Sequence, residues 1–296
     1  MRRLKRVAIV GVGLVGGSFA LALRRAGMVA TIVGVDRNAE ALARAAALGV
    51  IDTAAESVSD AAAGSDLVVV AVPVRAIASV LHDVALALDP GAVVTDVGST
   101  KADVAEDARA ELRSLFPRFV PGHPIAGREA SGVEAATADL FKGARIVLTP
   151  HADTATDAVD LVRACWEAAG GRVVQLEAAA HDRIFAAVSH LPHLLSFALV
   201  SEIGSRPDSA ELFSFAAGGF RDFTRIAASS PEMWRDIALQ NRSALLDELD
   251  RYGARLAVFR ELVDKGDGPG LQRLMAEARA SRQALGPGPR RGSTNE

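Results

Sequence analysis

With 296 residues, half of them apolar and 23% charged, the chain has the make-up of a folded globular protein rather than a disordered one, and its length allows two domains. The formal charge of −3, from 33 basic and 36 acidic side chains, gives no general attraction to nucleic acid or an anionic membrane, so any anionic ligand must be met by local cations. Cys165 is the sole cysteine, which excludes an intrachain disulfide or a thiolate metal cluster within one chain and points to a reducing, cytoplasmic setting.

The N-terminus, "MRRLKRVAIVGVGLVGGSFALALRR", places basic residues before an apolar run, as a secretory leader does. Gly11, Gly13, Gly16 and Gly17 interrupt the run and Arg24 follows, so it falls short of the roughly 20 apolar residues that span a bilayer, and no membrane partner is expected. Residues 7–10 read as a strand and 14–25 as a helix, with Gly11, Gly13 and Gly16 between them in the spacing GxGxxG. In that context the first glycine permits a tight turn, the second lets the chain approach a pyrophosphate, and the third allows close helix–sheet packing, while the helix N-terminus offers unpaired N–H groups to the anion. "TIVGVD" reads as a second strand ending at Asp36, where a carboxylate accepts hydrogen bonds from the ribose hydroxyls of NAD and opposes the 2′-phosphate of NADP. The adjacent Arg37 is the one feature that would still pair with that phosphate, so NAD is favoured and NADP less so.

The alternation of strand and helix continues: helix 39–47, strand 67–72, helix 77–88, strand 92–97. This predicts a doubly wound parallel sheet of Rossmann type, covered on both faces. Val72, Pro73 and the tetrapeptide Gly98-Ser99-Thr100-Lys101 fall just beyond strands, at the sheet edge where such folds bind ligands. For Ser99, Thr100 and Lys101 a helix cap and a surface charge is the competing explanation. "FVPGHPIAG" supplies a further short strand and a constrained loop carrying His123, and "ARIVLTP" another strand near Pro150.

After a helix over 154–169 and the strand "RVVQL", the pattern changes at Glu177 to long helical segments, 177–203, 208–217, 231–263 and 268–285. Such helices must bury their apolar faces against one another or against a second chain, so a homodimer is expected. The organisation is therefore 1–176 for a nucleotide-binding domain, 177–285 for an all-helical domain, and 286–296, "GPGPRRGSTNE", for a flexible tail. The segment 233–263 is long for one helix, with Gly253 the candidate for a bend. "HDRIFAAVSHLPH" gathers His181, His190 and His193, but it lacks HExxH or any matched ligand set, so no metal is expected. In "GGFRDFTRIAASSPEMW", Arg221 and Arg225 are equal candidates for a carboxylate clamp, while Ser230 before Pro231 reads as a helix cap.

Taken together, "GVGLVGGSFALAL", "VVVAVPV", "TDVGSTK", "PGHPIAGREASG", "FKGARIVLTP", "HDRIFAAVSHLPH" and "GGFRDFTRIAASSPEMW" closely resemble the prephenate and arogenate dehydrogenase family, in order along the chain to about residue 285. The resemblance implies a Rossmann-type domain followed by a helical domain that dimerises. It also implies NAD-dependent oxidative decarboxylation of a cyclohexadienyl dicarboxylate, prephenate to 4-hydroxyphenylpyruvate or arogenate to tyrosine. His123 is then the group that accepts the ring hydroxyl's proton, with Ser99 hydrogen-bonded beside it, and Arg225 rather than Arg221 binds a substrate carboxylate. His193 matches a substrate-site histidine, Ser189 and His190 line the same pocket, and Asp222 and Trp234 organise the site. An acidic group near the substrate amine, with Asp222 and Glu129 the candidates, would favour arogenate. Two other readings stand beside this one. The first is another NAD-dependent dehydrogenase with a helical C-terminal domain, although no lysine occurs between residues 177 and 263 to act as its catalytic group. The second is a nucleotide-binding interaction protein without catalysis.

Overall fold

The computed structural model describes residues 3–128 and 130–286; Glu129 and residues 287–296 of the expected tail lie outside the described residues. Strand β1 (Leu4–Val10) runs through the glycine turn into helix α1 (Leu14–Arg25), followed by β2 (Val29–Val35), α2 (Ala39–Ala47), the two-residue β3 (Thr53–Ala54), α3 (Val58–Ala62) and β4 (Leu67–Val70). The alternation proceeds through α4 (Ile77–Ala85), β5 (Val93–Asp96), α5 (Ala102–Leu112) and β6 (Phe119–Val120). All six strands are parallel, in the order β3-β2-β1-β4-β5-β6. That order reverses direction between β1 and β4, which places the ligand-binding crevice of a doubly wound sheet beyond their carboxyl ends.

The continuous apolar runs of these strands follow from burial on both faces. Val7, Ile9, Ile32, Leu67, Val69 and Val93 pack on one side with Phe19 and Leu23 of α1, and with Cys165 and Trp166 of α6 (Thr156–Ala168). The alternate residues Ala8, Val10, Val33, Val68, Val70 and Val94 pack on the other side with Leu81 and Val84 of α4 and Val104 and Leu112 of α5.

His123, expected in a loop, lies instead in β7 (Gly122–Ile125), which pairs antiparallel with β8 (Arg145–Leu148); β8 pairs parallel with β9 (Arg172–Gln175) to form a second, three-stranded sheet. Its neighbours Pro121 and Pro124 do not prevent this, because a strand tolerates proline where no ladder donor is needed.

The helical part begins with α7 (Ala178–Phe185), capped by Glu177, whose carboxylate accepts the N–H groups of Ala179 and Ala180. A π-helical turn over Ala186–His190 joins it to α8 (Leu191–Gly204), so that Pro192, which has no N–H to give, enters at a widened turn rather than inside a regular helix. Together Ala178–Gly204 form a 27-residue helix long and apolar enough by composition to cross a membrane, though only 28% of the most apolar window is buried. The buried polar side chains His181, Asp182 and His190 on it, described below, are hydrogen-bonded to the rest of the protein, as suits a helix packed in a folded domain.

Shorter helices follow, α9 (Ser209–Ser214) and α10 (Gly218–Thr224), then α11 (Pro231–Gln240), α12 (Arg242–Asp264) and α13 (Gly268–Ala284). Ser230 caps α11 through the N–H of Met233, with Pro231 in the first turn as its sequence predicts. The long segment 233–263 divides at Asn241 rather than at Gly253: Asn241 leaves helical geometry (φ −98°, ψ 36°) because its side chain is engaged elsewhere, while Gly253 remains inside α12. The chain separates into two compact units between Arg242 and Ser243, so the first takes in both sheets and α1 to α11. In the second unit, Asp267 caps α13 by accepting the N–H of Gly270 at 2.9 Å, after a turn in which Gly266 has φ +64°.

Candidate active site

The glycine turn at the crevice is built as its spacing predicts. Gly11 has φ +94°, and a Cβ there would lie 2.3 Å from the Ala71 carbonyl oxygen; a Cβ on Gly16 would lie 2.2 Å from the carbonyl oxygen of Gly11. These two glycines are demanded by the chain's own packing. Gly13 is different: a Cβ there would meet no atom within 4 Å, so the missing side chain leaves open space at the N-terminus of α1, where a phosphate group is attracted. Val72 and Pro73 follow β4 at the same crevice, and Val72 Cγ1 is 3.2 Å from the Cβ position of Gly11. Asp36 stands at the end of β2, oriented by the N–H groups of Val12 (3.0 Å) and Asn38 (2.9 Å), with Arg37 exposed beside it. The residues present therefore fit a dinucleotide, with its phosphates on the turn and its ribose towards Asp36.

Further along the sheet edge, the end of β5 organises a buried polar group. Asp96 accepts the N–H of Gly98 at 2.7 Å and of Gly122 at 3.1 Å, which ties the loop after β5 to the start of β7. It also forms an ion pair with Lys101, and both side chains are fully buried. Burial pulls the Lys101 ammonium below its ordinary value, with the Asp96 carboxylate opposing that shift. Lys101, expected either as a ligand contact or as a surface charge, is thus neither. Thr100 is also buried, donating to Gln240 at 3.2 Å.

His123, partly buried, projects from β7 with its Nδ1 2.9 Å from Nε2 of His181. His181 in turn has its Nδ1 2.8 Å from Oδ1 of Asp182. The Asp182 carboxylate accepts the N–H of Lys101 at 2.9 Å and of Ala102 at 2.8 Å, the first free donors of α5. Burial alone would raise the Asp182 carboxyl, but its hydrogen bonds from His181, Ala102 and Lys101 hold it below its usual range. His123 is held well below the ordinary imidazole value by burial first, then by His181, Lys101 and His190, so it is neutral near neutral pH. Among the described residues its ring hydrogen bond goes to His181, whereas Ser99, partly buried after β5, makes none with it. Sequence reasoning missed the contribution of Asp182, Asp96 and Asn241. A histidine–aspartate pair at 181–182 was the available signal, but nothing local ties it to a histidine 58 positions earlier.

The remaining expected residues separate into a buried support and an open side. His190 is buried, with its Nδ1 3.0 Å from the Asn241 amide nitrogen, which also donates to the Asp182 carbonyl at 2.8 Å. Burial lowers His190 to about 4, so it is a neutral support rather than a charged ligand contact. His193 donates from Nδ1 to the Ser189 carbonyl at 2.9 Å and stacks on Trp234, with ring centroids 3.6 Å apart. Burial and the nearby Arg225 depress the His193 imidazole, the Ser189 carbonyl opposing them. Ser189 thus enters through its backbone. Arg225 is exposed in a 3-10 turn over Arg225–Ala228, Asp222 is exposed on α10, and Arg221 turns back to the Ala216 carbonyl at 3.2 Å. The histidines at 181, 190 and 193 therefore serve different partners, and among the described residues no group of three or more His, Cys, Asp or Glu side chains is placed to hold a metal ion.

A parallel sheet in this strand order, with an open glycine and an oriented acid at its crevice, followed by a helical part, defines a Rossmann-type nucleotide-binding protein. Two family models match the chain in succession: "Prephenate dehydrogenase, nucleotide-binding domain" over residues 19–175 and "Prephenate dehydrogenase, dimerization domain" over 177–277. The chain belongs to the prephenate dehydrogenase family. It is 36% identical over 287 residues to a cyclohexadienyl dehydrogenase of Zymomonas mobilis, covering 96% of this chain and 97% of that protein. The prephenate dehydrogenase of Aquifex aeolicus, solved with hydroxyphenyl propionate and NAD+, matches with a TM-score of 0.89 and 38% identity, over 96% of this chain and 99% of that one. The arogenate dehydrogenase of Synechocystis matches with a TM-score of 0.80 and 31% identity, over 95% and 99%.

Proposed function

We propose that this chain oxidatively decarboxylates prephenate to 4-hydroxyphenylpyruvate with NAD, and that arogenate, giving tyrosine, is a second or alternative substrate. The observation that carries the reading is His123: a neutral imidazole at the carboxyl edge of the sheet, with Nδ1 engaged by His181 and no described protein partner on Nε2. Such a ring takes the proton of the substrate's ring hydroxyl at Nε2, a task suited to an imidazole that is uncharged at the working pH. Ser99, in the loop after β5, is assigned to the same hydroxyl rather than to His123. Bound at the glycine turn, the oxidised nicotinamide cofactor supplies the acceptor for the hydride that leaves the hydroxyl-bearing carbon. Loss of the ring carboxylate as carbon dioxide then gives the aromatic phenolate, which takes the proton back from Nε2 of His123 to become the phenol.

Arg225, exposed as a residue in its 3-10 turn, binds a substrate carboxylate, His193 hydrogen-bonds the substrate from beside it, and the Trp234 ring holds His193 in place. Asp36 is assigned to the ribose hydroxyls, which supports NAD over NADP. On this reading residues 1–176 hold the cofactor, and 177–285 hold substrate and a second copy of the chain. Exposed apolar side chains in the helical part, among them Val188 at 67% and Phe215 at 80% exposure, support burial against that second copy. Formation of reduced nicotinamide by purified protein, with prephenate and arogenate each tried against NAD and NADP, tests the assignment. No turnover with either substrate overturns it.

A further inference from the structure

We propose that Asp182 and His181 are positioning residues: they fix the proton of the neutral His123 ring on Nδ1 and so keep its Nε2 bare for the substrate's proton. This rests on the reading of His123 as the base. Asp182 sits where only acceptors serve. Its oxygens receive the N–H groups of Lys101 and Ala102 at the start of α5, and the positive end of that helix favours a carboxylate there. Facing such an oxygen at 2.8 Å, Nδ1 of His181 must be the donor. A neutral imidazole has a single N–H, so Nε2 of His181 is a lone pair. The 2.9 Å contact with His123 is then a hydrogen bond donated by Nδ1–H of His123, and the one ring nitrogen left without a proton is Nε2. If His181 were to carry a second proton, its Nε2–H would donate to His123, whose Nε2 would then hold the proton and have nothing to accept with.

The same chain stabilises the product of the transfer. The substrate O–H bond breaks, an N–H bond forms at Nε2, and His123 becomes an imidazolium still donating to His181. The groups facing it are His181 and Asp182 from α7, Lys101 and Asp96 from the loop and strand before α5, and His190 from the π-helical turn. Lys101 and Asp96 neutralise each other, and His181 and His190 are uncharged, which leaves Asp182 as the unbalanced charge of this buried group. Arrival of the proton on His123 cancels it.

Side-chain replacements separate this role from simple support. His181→Asn retains a donor near Asp182 but has no acceptor that reaches His123, whereas His181→Gln retains an amide oxygen near the Nε2 position. Expected is a fall in kcat of about 10²-fold for His181→Asn, towards the lower end of a general base's contribution, with NAD affinity unchanged and His181→Gln recovering part of the loss. Asp182→Asn, which removes the charge, moves the acid limb of the kcat/KM profile to lower pH, because the imidazolium is less favoured. Should that variant not fold, the His181 pair still decides. In parallel, the ring nitrogen resonances of 15N-labelled wild-type protein are expected to show His123 protonated on Nδ1 and bare on Nε2. Wild-type kcat in His181→Asn, or a His123 proton on Nε2 in the neutral wild-type ring, overturns the proposal. The resonances are read without turnover, so a protein inactive on both prephenate and arogenate would refute the proposed activity while the ring protonation still settles the positioning role.

Discussion

Gly13 and Gly16 are three residues apart in the same turn, yet their replacement by alanine should have opposite consequences. At Gly16 the new methyl would lie 2.2 Å from the Gly11 carbonyl oxygen, where ordinary contact begins at 3.4 Å, a deficit of 3.4 − 2.2 = 1.2 Å. The obstructing atom is backbone at the β1–α1 junction, so no rotamer relieves it, and Ala71 and Ile9 close the remaining space at 3.0 Å. Overpacking of this kind costs about 1–3 kcal/mol, and each kcal/mol lowers the melting temperature by roughly 2–4 °C in a domain of this size. At Gly13 the backbone (φ −73°, ψ −159°) is open to any residue and the methyl meets nothing within 4 Å. Gly13→Ala should therefore lose only the poorer capping of alanine at the start of α1, about 0.5–1 kcal/mol, and melt within roughly 2–4 °C of wild type. Its NAD affinity should fall at least about tenfold, or 1.4 kcal/mol, because the methyl stands where the phosphates approach. Calorimetric melting and titration of NAD check both arms. Unchanged NAD affinity in Gly13→Ala would refute the placement of the dinucleotide on this turn, whatever the stability of Gly16→Ala.

His123→Asn is expected to lower kcat by about 10²–10⁴-fold with NAD affinity retained, measured by steady-state kinetics beside cofactor titration. Arg225→Ala should raise KM for the substrate and Arg225→Lys should recover only part of the loss, because an ammonium lacks the two-pronged geometry of a guanidinium; equal KM values for all three proteins would remove Arg225 from the site. Stability should fall on acidification. His190, lowered from 6.5 to about 4 by burial, stays neutral in the fold while the unfolded chain takes up its proton. Its contribution is therefore complete above about pH 6.5 and is lost towards pH 4, on the order of 3 kcal/mol for a shift of that size. His123 and His181 act in the same direction, and Asp182, whose carboxyl is depressed, loses its contribution as pH falls through its folded value. A urea midpoint constant between about pH 7 and 4 would contradict this.

The sheet was legible because each of its central strands is a run of residues that must be apolar on both faces; the helices 14–25 and 39–47 have the same limits in sequence and structure. Helix breaks were harder. Gly253 suggests a break by its propensity, but it is Asn241 that ends α11, through bonds to His190 and the Asp182 carbonyl that no local pattern reveals. The strand β7 was hidden by Pro124 within it and Pro121 just before it, and the π-helical turn by the ordinary helical composition around it. At the candidate site, the sequence singled out residues whose side chains carry their own chemistry, such as His123 and Arg225. It could not show that Lys101 is sealed against Asp96 or that His181 reaches His123, since both depend on folding distant segments together.

The stacking of Trp234 on His193 also makes the protein its own optical probe. The chain has two tryptophans, and the other, Trp166, is fully enclosed in the core beside Phe19 and Phe141. Trp166→Phe would leave a single indole, pressed at 3.6 Å against an imidazole assigned to substrate binding. Imidazolium quenches indole emission more strongly than neutral imidazole does, so the fluorescence of that variant would titrate His193 directly. A carboxylate ligand entering beside Arg225 would favour the protonated ring, and its arrival would be visible as dimming before any chemistry had taken place.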